Sequence, residues 1–259
     1  MLEAKLSEAA ILKRLLDAIK ELVTDANFEC NEEGITLQAM DNSHVALVAV
    51  KLAASGFKKY RCDRPMPLGV NLTSLTKVLK CAKDDDTCTL KASDDGDLLN
   101  FVYEARNTDR IAEYELKLMD IDSDTLGIPD TEYDARVTMP SAEFGRIVRD
   151  LSMLGESVRI EVSKEGVRFA SEGEAANGSV LLKSTELPSG GEKKNAVRIE
   201  LNSHVNLTFS LKYLVNFSKS TSLSSVVQLM MSNDVPLLVS YEFGQGHIHY
   251  YLAPKIGDD

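Results

Sequence analysis

The chain has 259 residues, enough for one large domain or two modest ones with a core each. Hydrophobic residues make up 44% and charged residues 27%, the balance of a soluble globular protein, and no apolar run reaches membrane-spanning length. With 29 Lys plus Arg against 40 Asp plus Glu the formal net charge is −11, which taken alone argues against a nucleic-acid surface.

In chain order, the start MLEAKLSEAAILKRLL spaces its apolar residues as an amphipathic helix does and interrupts them with charges, so a helix is expected over 8–23 rather than a signal peptide. The protein is expected to stay inside the cell. Short segments rich in β-branched and aromatic residues follow at 34–40, 45–52, 87–92, 98–104 and 110–118, with a second helix predicted at 72–82. After a stretch at 118–134 the series resumes, with helices predicted at 141–154 and 210–221 and strands at 157–163, 166–171, 178–185, 196–201, 204–209, 225–231, 236–243 and 247–252. Many short strands and short connections point to antiparallel sheets, each covered by two helices.

The second series copies the first. Phe28 to Met40 (FECNEEGITLQAM) lies over Ile160 to Glu172 (IEVSKEGVRFASE) at an offset of 132, with Gly34 over Gly166. At the same offset Leu12, Leu15, Leu16, Ile19 and Leu22 fall on Phe144, Ile147, Val148, Leu151 and Leu154, and at 139 Leu72, Leu75 and Val78 fall on Leu211, Leu214 and Phe217. Three units in one order indicate an internal duplication. The expected division is an N-terminal domain at 1–117, a connector at 118–134 and a C-terminal domain at 135–259.

No catalytic or metal-ligating constellation is found. His247 and His249 share a strand face without a Cys, Asp or Glu at ligand spacing, and Asp120, Asp122 and Asp124 open a calcium-type loop that then carries Thr125 and Thr131 where Gly and Glu are required. There is no phosphate-binding lysine loop, no GxGxxG and no nucleophile elbow. Asp84 to Asp86 and Asp94 to Asp97 read as solvated turns. Cys30, Cys62, Cys81 and Cys88 form no CxxC pair and read as buried thiols.

The charge is unevenly placed. The four predicted helices hold nine basic and five acidic residues, a net of +4, which leaves −15 on the remaining 206 residues. Lys13 and Lys20, Lys77 and Lys80, Arg146 and Arg149, and Lys212 and Lys219 each share a helical face, and the second helix of each half has no acidic residue. These faces are either ordinary polar sides of amphipathic helices or one positive surface suited to a phosphate backbone, without base-reading chemistry.

Four runs, QAMDNSHVALV (38–48), YRCDRPMPLGVNLTSLTKVLKCA (60–82), LKLMDIDSDTLGIP (116–129) and YYLAPKI (250–256), resemble the proliferating cell nuclear antigen family, the eukaryotic sliding clamps, and the likeness runs end to end. The resemblance implies an α+β fold of two similar domains, antiparallel sheets with two helices each, closed head to tail into a homotrimeric ring. It implies a DNA polymerase processivity factor in the nucleus, without chemistry or cofactor of its own and with no membrane role. Such a ring encircles duplex DNA without sequence specificity and tethers replicative polymerase, flap endonuclease, DNA ligase and other PIP-box proteins; ATP is left to the clamp loader.

Carried over by position, the resemblance assigns DNA binding to Lys13, Arg14, Lys20, Arg61, Lys77, Lys80, Arg146, Arg149, Lys212 and Lys219. The connector becomes one wall of a peptide pocket, with Leu126 and Ile128 joined by Met40, His44, Val45, Leu47, Pro236, Tyr251, Leu252, Ala253, Pro254, Lys255 and Ile256. Read from its residues alone, the connector interleaves more hydrophobes than an ordinary linker, and the other reading is a linker packed on its own domains. The subunit interface would pair 108–117, with Arg110, Tyr114 and Lys117, against 177–185, with Gly178, Val180 and Leu182. Lys164, in the turn Ser163 to Gly166, matches the family's ubiquitin acceptor. Two rival readings are a checkpoint-type heterotrimeric clamp subunit and an enzyme using the acidic clusters.

Overall fold

The computed structural model describes residues 1–122, 125–185 and 195–257. The first half runs β1 (Leu2–Leu6), α1 (Ala10–Ile19), β2 (Asp25–Asn31), β3 (Gly34–Met40), β4 (Ala46–Ala53), β5 (Lys59–Cys62), β6 (Met66–Asn71), α2 (Leu72–Lys80), β7 (Thr87–Ala92), β8 (Leu98–Glu104) and β9 (Ile111–Lys117). The second repeats that order element for element: β10 (Ala135–Pro140), α3 (Ser141–Ser152), β11 (Ser157–Ser163), β12 (Gly166–Glu172), β13 (Asn177–Leu182), β14 (Arg198–Leu201), β15 (Val205–Ser210), α4 (Leu211–Phe217), β16 (Val226–Met231), β17 (Leu237–Phe243) and β18 (Gly246–Leu252).

Two compact units result. One comprises Met1–Ser43, Val48–Gly127 and Phe243–Ile248; the other comprises His44–Leu47, Ile128–Glu242 and the chain from His249 on. In the first, strands follow the orders β5-β1-β7-β8-β9 and β4-β3-β2-β6; in the second the orders are β14-β10-β16-β17-β18 and β13-β12-β11-β15. These are the same orders under the duplication, and the strand pairs are antiparallel. Alternating burial along β1, β8 and β10 turns one face of each sheet to a core.

The duplicated glycines show what fixes the copies. Asn31 pairs Gly34 and Ser163 pairs Gly166 across two-residue hairpins, and the glycines have φ of 140° and 144°. A side chain disfavours that backbone, and a Cβ would strike the Leu52 carbonyl oxygen in one copy and that of Leu182 in the other.

Several expectations need correction. Sequence reading missed β1, β2, β5, β6 and β10, and the first helix, Ala10–Ile19, is shorter than 8–23 because residues 8–9 form the turn that leads into it and 20–23 the turn that leaves it. Cys30 and Cys88 are buried, but Cys62 lies half-buried on the outer strand β5 and Cys81 is exposed just past α2. Asp86 is 1% exposed rather than solvated, because its carboxylate turns inward to accept the Lys83 amide at 2.8 Å.

Candidate nucleic-acid and partner surfaces

Each unit packs its two helices side by side against its sheets. In α1 the buried stripe is Leu12, Leu15, Leu16 and Ile19, which leaves Arg14 exposed and Lys13 and Lys20 half-buried. In α2, Leu72, Leu75 and Leu79 face inward and Lys77 and Lys80 outward. In the second unit Phe144, Ile147, Val148 and Leu151 bury one side of α3, Leu211, Leu214 and Phe217 one side of α4, and Arg146, Arg149, Lys212 and Lys219 stand in solvent. The fold thus places seven of these cations on the four helices, with Lys20 just past α1 and Lys219 just past α4; Arg61 lies instead on β5, its guanidinium 2.8 Å from Asp63.

Local partners neutralise part of this charge. Lys13 reaches Asp84 at 2.7 Å and the Ala82 carbonyl at 2.9 Å, and that hydrogen bond, with the charge behind it, holds the Asp84 carboxyl below its ordinary range. Lys20 pairs with Asp17 at 2.9 Å and Arg146 with Asp150 at 3.7 Å. Arg14, Lys77, Lys80, Arg149 and Lys212 have no carboxylate within the 4.0 Å of an ion pair among the described residues. Exposed ammonium and guanidinium groups without fixed partners suit exchangeable contacts with phosphate. Met153, just past α3, is 78% exposed and adds no charge there.

The connector is anchored on the first unit through backbone polar groups. The Met119 amide donates to the Gly69 carbonyl at 2.8 Å, the Asn27 side chain donates to the Ile121 carbonyl at 2.8 Å, and Gln38 both donates to and accepts from Leu126, at 2.8 and 2.6 Å. Its hydrogen bonds therefore face inward while Met119 and Leu126 stay 43% and 47% exposed. Asp124 lies outside the described residues. Met40, half-buried at the end of β3, belongs to the same unit.

The second unit holds the other expected pocket residues. Val45, Ile128 and Ile256 are exposed apolar groups, Pro236 and Ala253 are exposed, and Leu47, Tyr251 and Pro254 are half-buried. Leu252 is fully buried, so its side chain faces the core and not a ligand. His44 is exposed in a left-handed backbone at φ 58°, beside a turn in which the buried Asp41 carboxylate accepts the Ser43 amide at 3.0 Å. The tail is tied down: the Lys255 amide donates to the Thr208 carbonyl at 2.7 Å and its ammonium to the Ser157 hydroxyl.

β9 and β13 are outer strands of their sheets. On β9, Ile111 is 64% exposed and Lys117 exposed, while the Tyr114 ring packs 5.5 Å from Tyr103. Arg110 precedes this strand in solvent; Gly178, Val180 and Leu182 of β13 are half-buried. Lys164 is exposed at its hairpin tip, on the rim of a cleft of about 830 Å³. His204 Nε2 lies 2.9 Å from Glu161 in that cleft and holds its carboxyl below the ordinary range.

Comparison with known proteins agrees with this architecture. The model of the proliferating cell nuclear antigen N-terminal domain matches residues 1–126 and that of the C-terminal domain residues 127–256. The proliferating cell nuclear antigen of Chaetomium thermophilum is 59% identical over 261 aligned residues covering 100% of both chains. The chain therefore belongs to the proliferating cell nuclear antigen family, the DNA sliding clamps that bind DNA and polymerases as homotrimers and serve as processivity factors in DNA replication and repair.

Proposed function

We propose that this clamp closes its ring by pairing β9 of one subunit with β13 of the next, and that Arg110, Tyr114, Lys117, Gly178, Val180 and Leu182 form the joint. One observation carries this reading. Strand β9 ends the order β5-β1-β7-β8-β9 of the first unit and β13 ends the order β13-β12-β11-β15 of the second, so each has an edge without a ladder partner among the described residues. One open edge on each unit supports a head-to-tail pairing between neighbouring subunits.

Within that ring the helix cations would face the duplex and Arg61 would meet it from β5, with Lys13, Lys20 and Arg146 trading a carboxylate for a phosphate. The division 1–117, 118–134 and 135–259 then separates two ring segments from a connector that serves as a docking wall. Leu126, Ile128, Met40, His44, Val45, Leu47, Pro236 and the tail Tyr251 to Ile256 would take an aliphatic and two aromatic anchors of a partner peptide, with Leu252 contributing backbone. Clamp loader, flap endonuclease and DNA ligase are the partners expected there, in the nucleus, and the clamp itself performs no chemistry. Lys164, at an exposed hairpin tip, is the ubiquitin acceptor of this reading.

Light scattering across a dilution series tests the joint. The wild-type chain is expected to hold a trimeric mass and Tyr114→Ala to run as a monomer, since the ring anchors the edge strand on Tyr103. An unchanged mass in the variant would overturn the proposed pairing.

A further inference from the structure

Away from the helices, the described residues include a cationic cleft on this otherwise acidic chain. In the first unit a cleft of about 380 Å³ is lined by Lys5, Ser7, Lys58, Thr87, Glu104 and Arg106. Three cations and one carboxylate line it, and a second carboxylate, Glu8, lies beside it, on a chain whose net charge is −11. Lys5 extends from β1 with only 26% of its side chain exposed, so its stem is held by packing, and its ammonium lies 3.8 Å from Glu104. Arg106 lies 3.7 Å from Glu8, and Lys58 has no carboxylate within 4.0 Å among the described residues. The Thr87 hydroxyl spans 3.5 Å to the Glu104 carbonyl, a bond at its limit that a better acceptor would replace.

Converging ammonium, guanidinium and hydroxyl donors around a small cleft match a compact dianion with several acceptor oxygens. They do not match a nucleic-acid backbone, because the exposed Glu113 and Glu115 on β9 of the same sheet would repel a polyanion running past the cleft. We propose that this cleft takes the phosphoryl group of a phosphorylated serine or threonine on a partner polypeptide. None of the expected pocket residues takes part, so the site would act as a second, phosphorylation-dependent point of attachment and would raise the effective concentration of a partner already engaged elsewhere.

The test uses the full chain and fluorescence anisotropy with a phosphoserine peptide of otherwise neutral sequence, beside its unphosphorylated twin. The phosphopeptide is expected to bind at least ~10-fold tighter, and the double variant Lys58→Glu, Arg106→Glu to lose that advantage, whereas a charge-matched control, Lys51→Glu with Lys91→Glu, keeps it. All four positions are exposed, and unchanged melting points would show that both variants fold. Equal binding of the two peptides, or an equal loss in the control, would overturn the proposal. So would amide shifts at Ser7 and Lys58 with inorganic phosphate but no preference between the peptides, which would leave a bare anion site.

Discussion

The two halves share an order of elements and differ in what fills them. In the first unit Leu12, Leu16, Leu75, Leu79, Leu90 and Leu99, with Phe28 and Phe101, surround an apolar cavity of about 30 Å³. In the second, the fully buried Phe144, Phe169, Phe209 and Phe217 fill the space, and Phe217 stacks on Tyr250 at 4.3 Å and 12°. Tyr250 buries its hydroxyl against Ser220 at 2.7 Å, so the aromatic core also satisfies its polar end. Leu12 stands where the second copy has Phe144, and Val78 where it has Phe217, whereas Phe28 stands where it has Ile160. Volume has moved between layers while the backbone kept its course. What the copies must share is the set of backbone conditions, and the core is refilled around them.

The hairpin glycines test that view most severely. Gly34→Val and Gly166→Val should each cost about 3 kcal/mol or more in urea unfolding, because both the positive φ and the facing carbonyl exclude a Cβ. Similar losses in the two copies would support the equivalence. A copy that tolerated valine with less than ~1 kcal/mol would break it at that turn.

Core truncations have effects of similar size and separate the units. Phe217→Ala should cost about 4 kcal/mol and Leu79→Ala about 3 kcal/mol. The four cysteines report on the first unit alone, since Cys30, Cys62, Cys81 and Cys88 all lie in it. Burial pushes the Cys30 and Cys88 thiols up to about 12, so near pH 8 they should resist alkylation until that unit opens, while exposed Cys81 reacts at once. Leu79→Ala should speed labelling of Cys30 and Cys88 about 100-fold, at 1.4 kcal/mol per tenfold. Phe217→Ala should leave those rates unchanged. Equal acceleration by both variants would mean that the two cores open as one.

The duplication, the four helices and most strands are legible in the sequence because a 3.6-residue or two-residue period, bounded by turn-formers, marks them. The missed strands lack those marks. β6 carries Pro67, which an outer strand tolerates and which hides its alternation, and β1 runs into the helix that follows, so its alternation is absorbed into the helical pattern. The family was legible because whole motifs carry it, but the local neutralisation of Lys13 by Asp84 was not. Its partner is 71 residues away, and only the fold brings the two together. Burial of Asp86 and exposure of Cys81 went astray for a similar reason: composition describes a neighbourhood, whereas direction depends on the turn that each residue closes.

The smallest effect concerns the second helix of each unit, where the copies agree on the backbone and differ by one side chain. The Leu72 amide donates to the Thr24 carbonyl at 2.9 Å, and the Leu211 amide to the Glu156 carbonyl at 2.9 Å, with Thr24 and Glu156 in matching positions. Before α2, Asn71 caps the helix by accepting the Ser74 amide at 2.9 Å and donates to Asp25 at 2.9 Å; before α4, Ser210 makes no side-chain cap. Asn71→Ala should therefore cost about 1 kcal/mol in urea unfolding and Ser210→Ala only a few tenths. The sharper variant is Ser210→Asn. Its backbone, at φ −70° and ψ 121°, matches that of Asn71 at −81° and 121°, and the residue matching Asp25 is Ser157, whose hydroxyl can accept an amide. A gain of about 1 kcal/mol would mean that the missing cap is a difference of side chain only. No gain would locate a difference in the first turn of α4 itself, and with it a limit to how far the duplication holds.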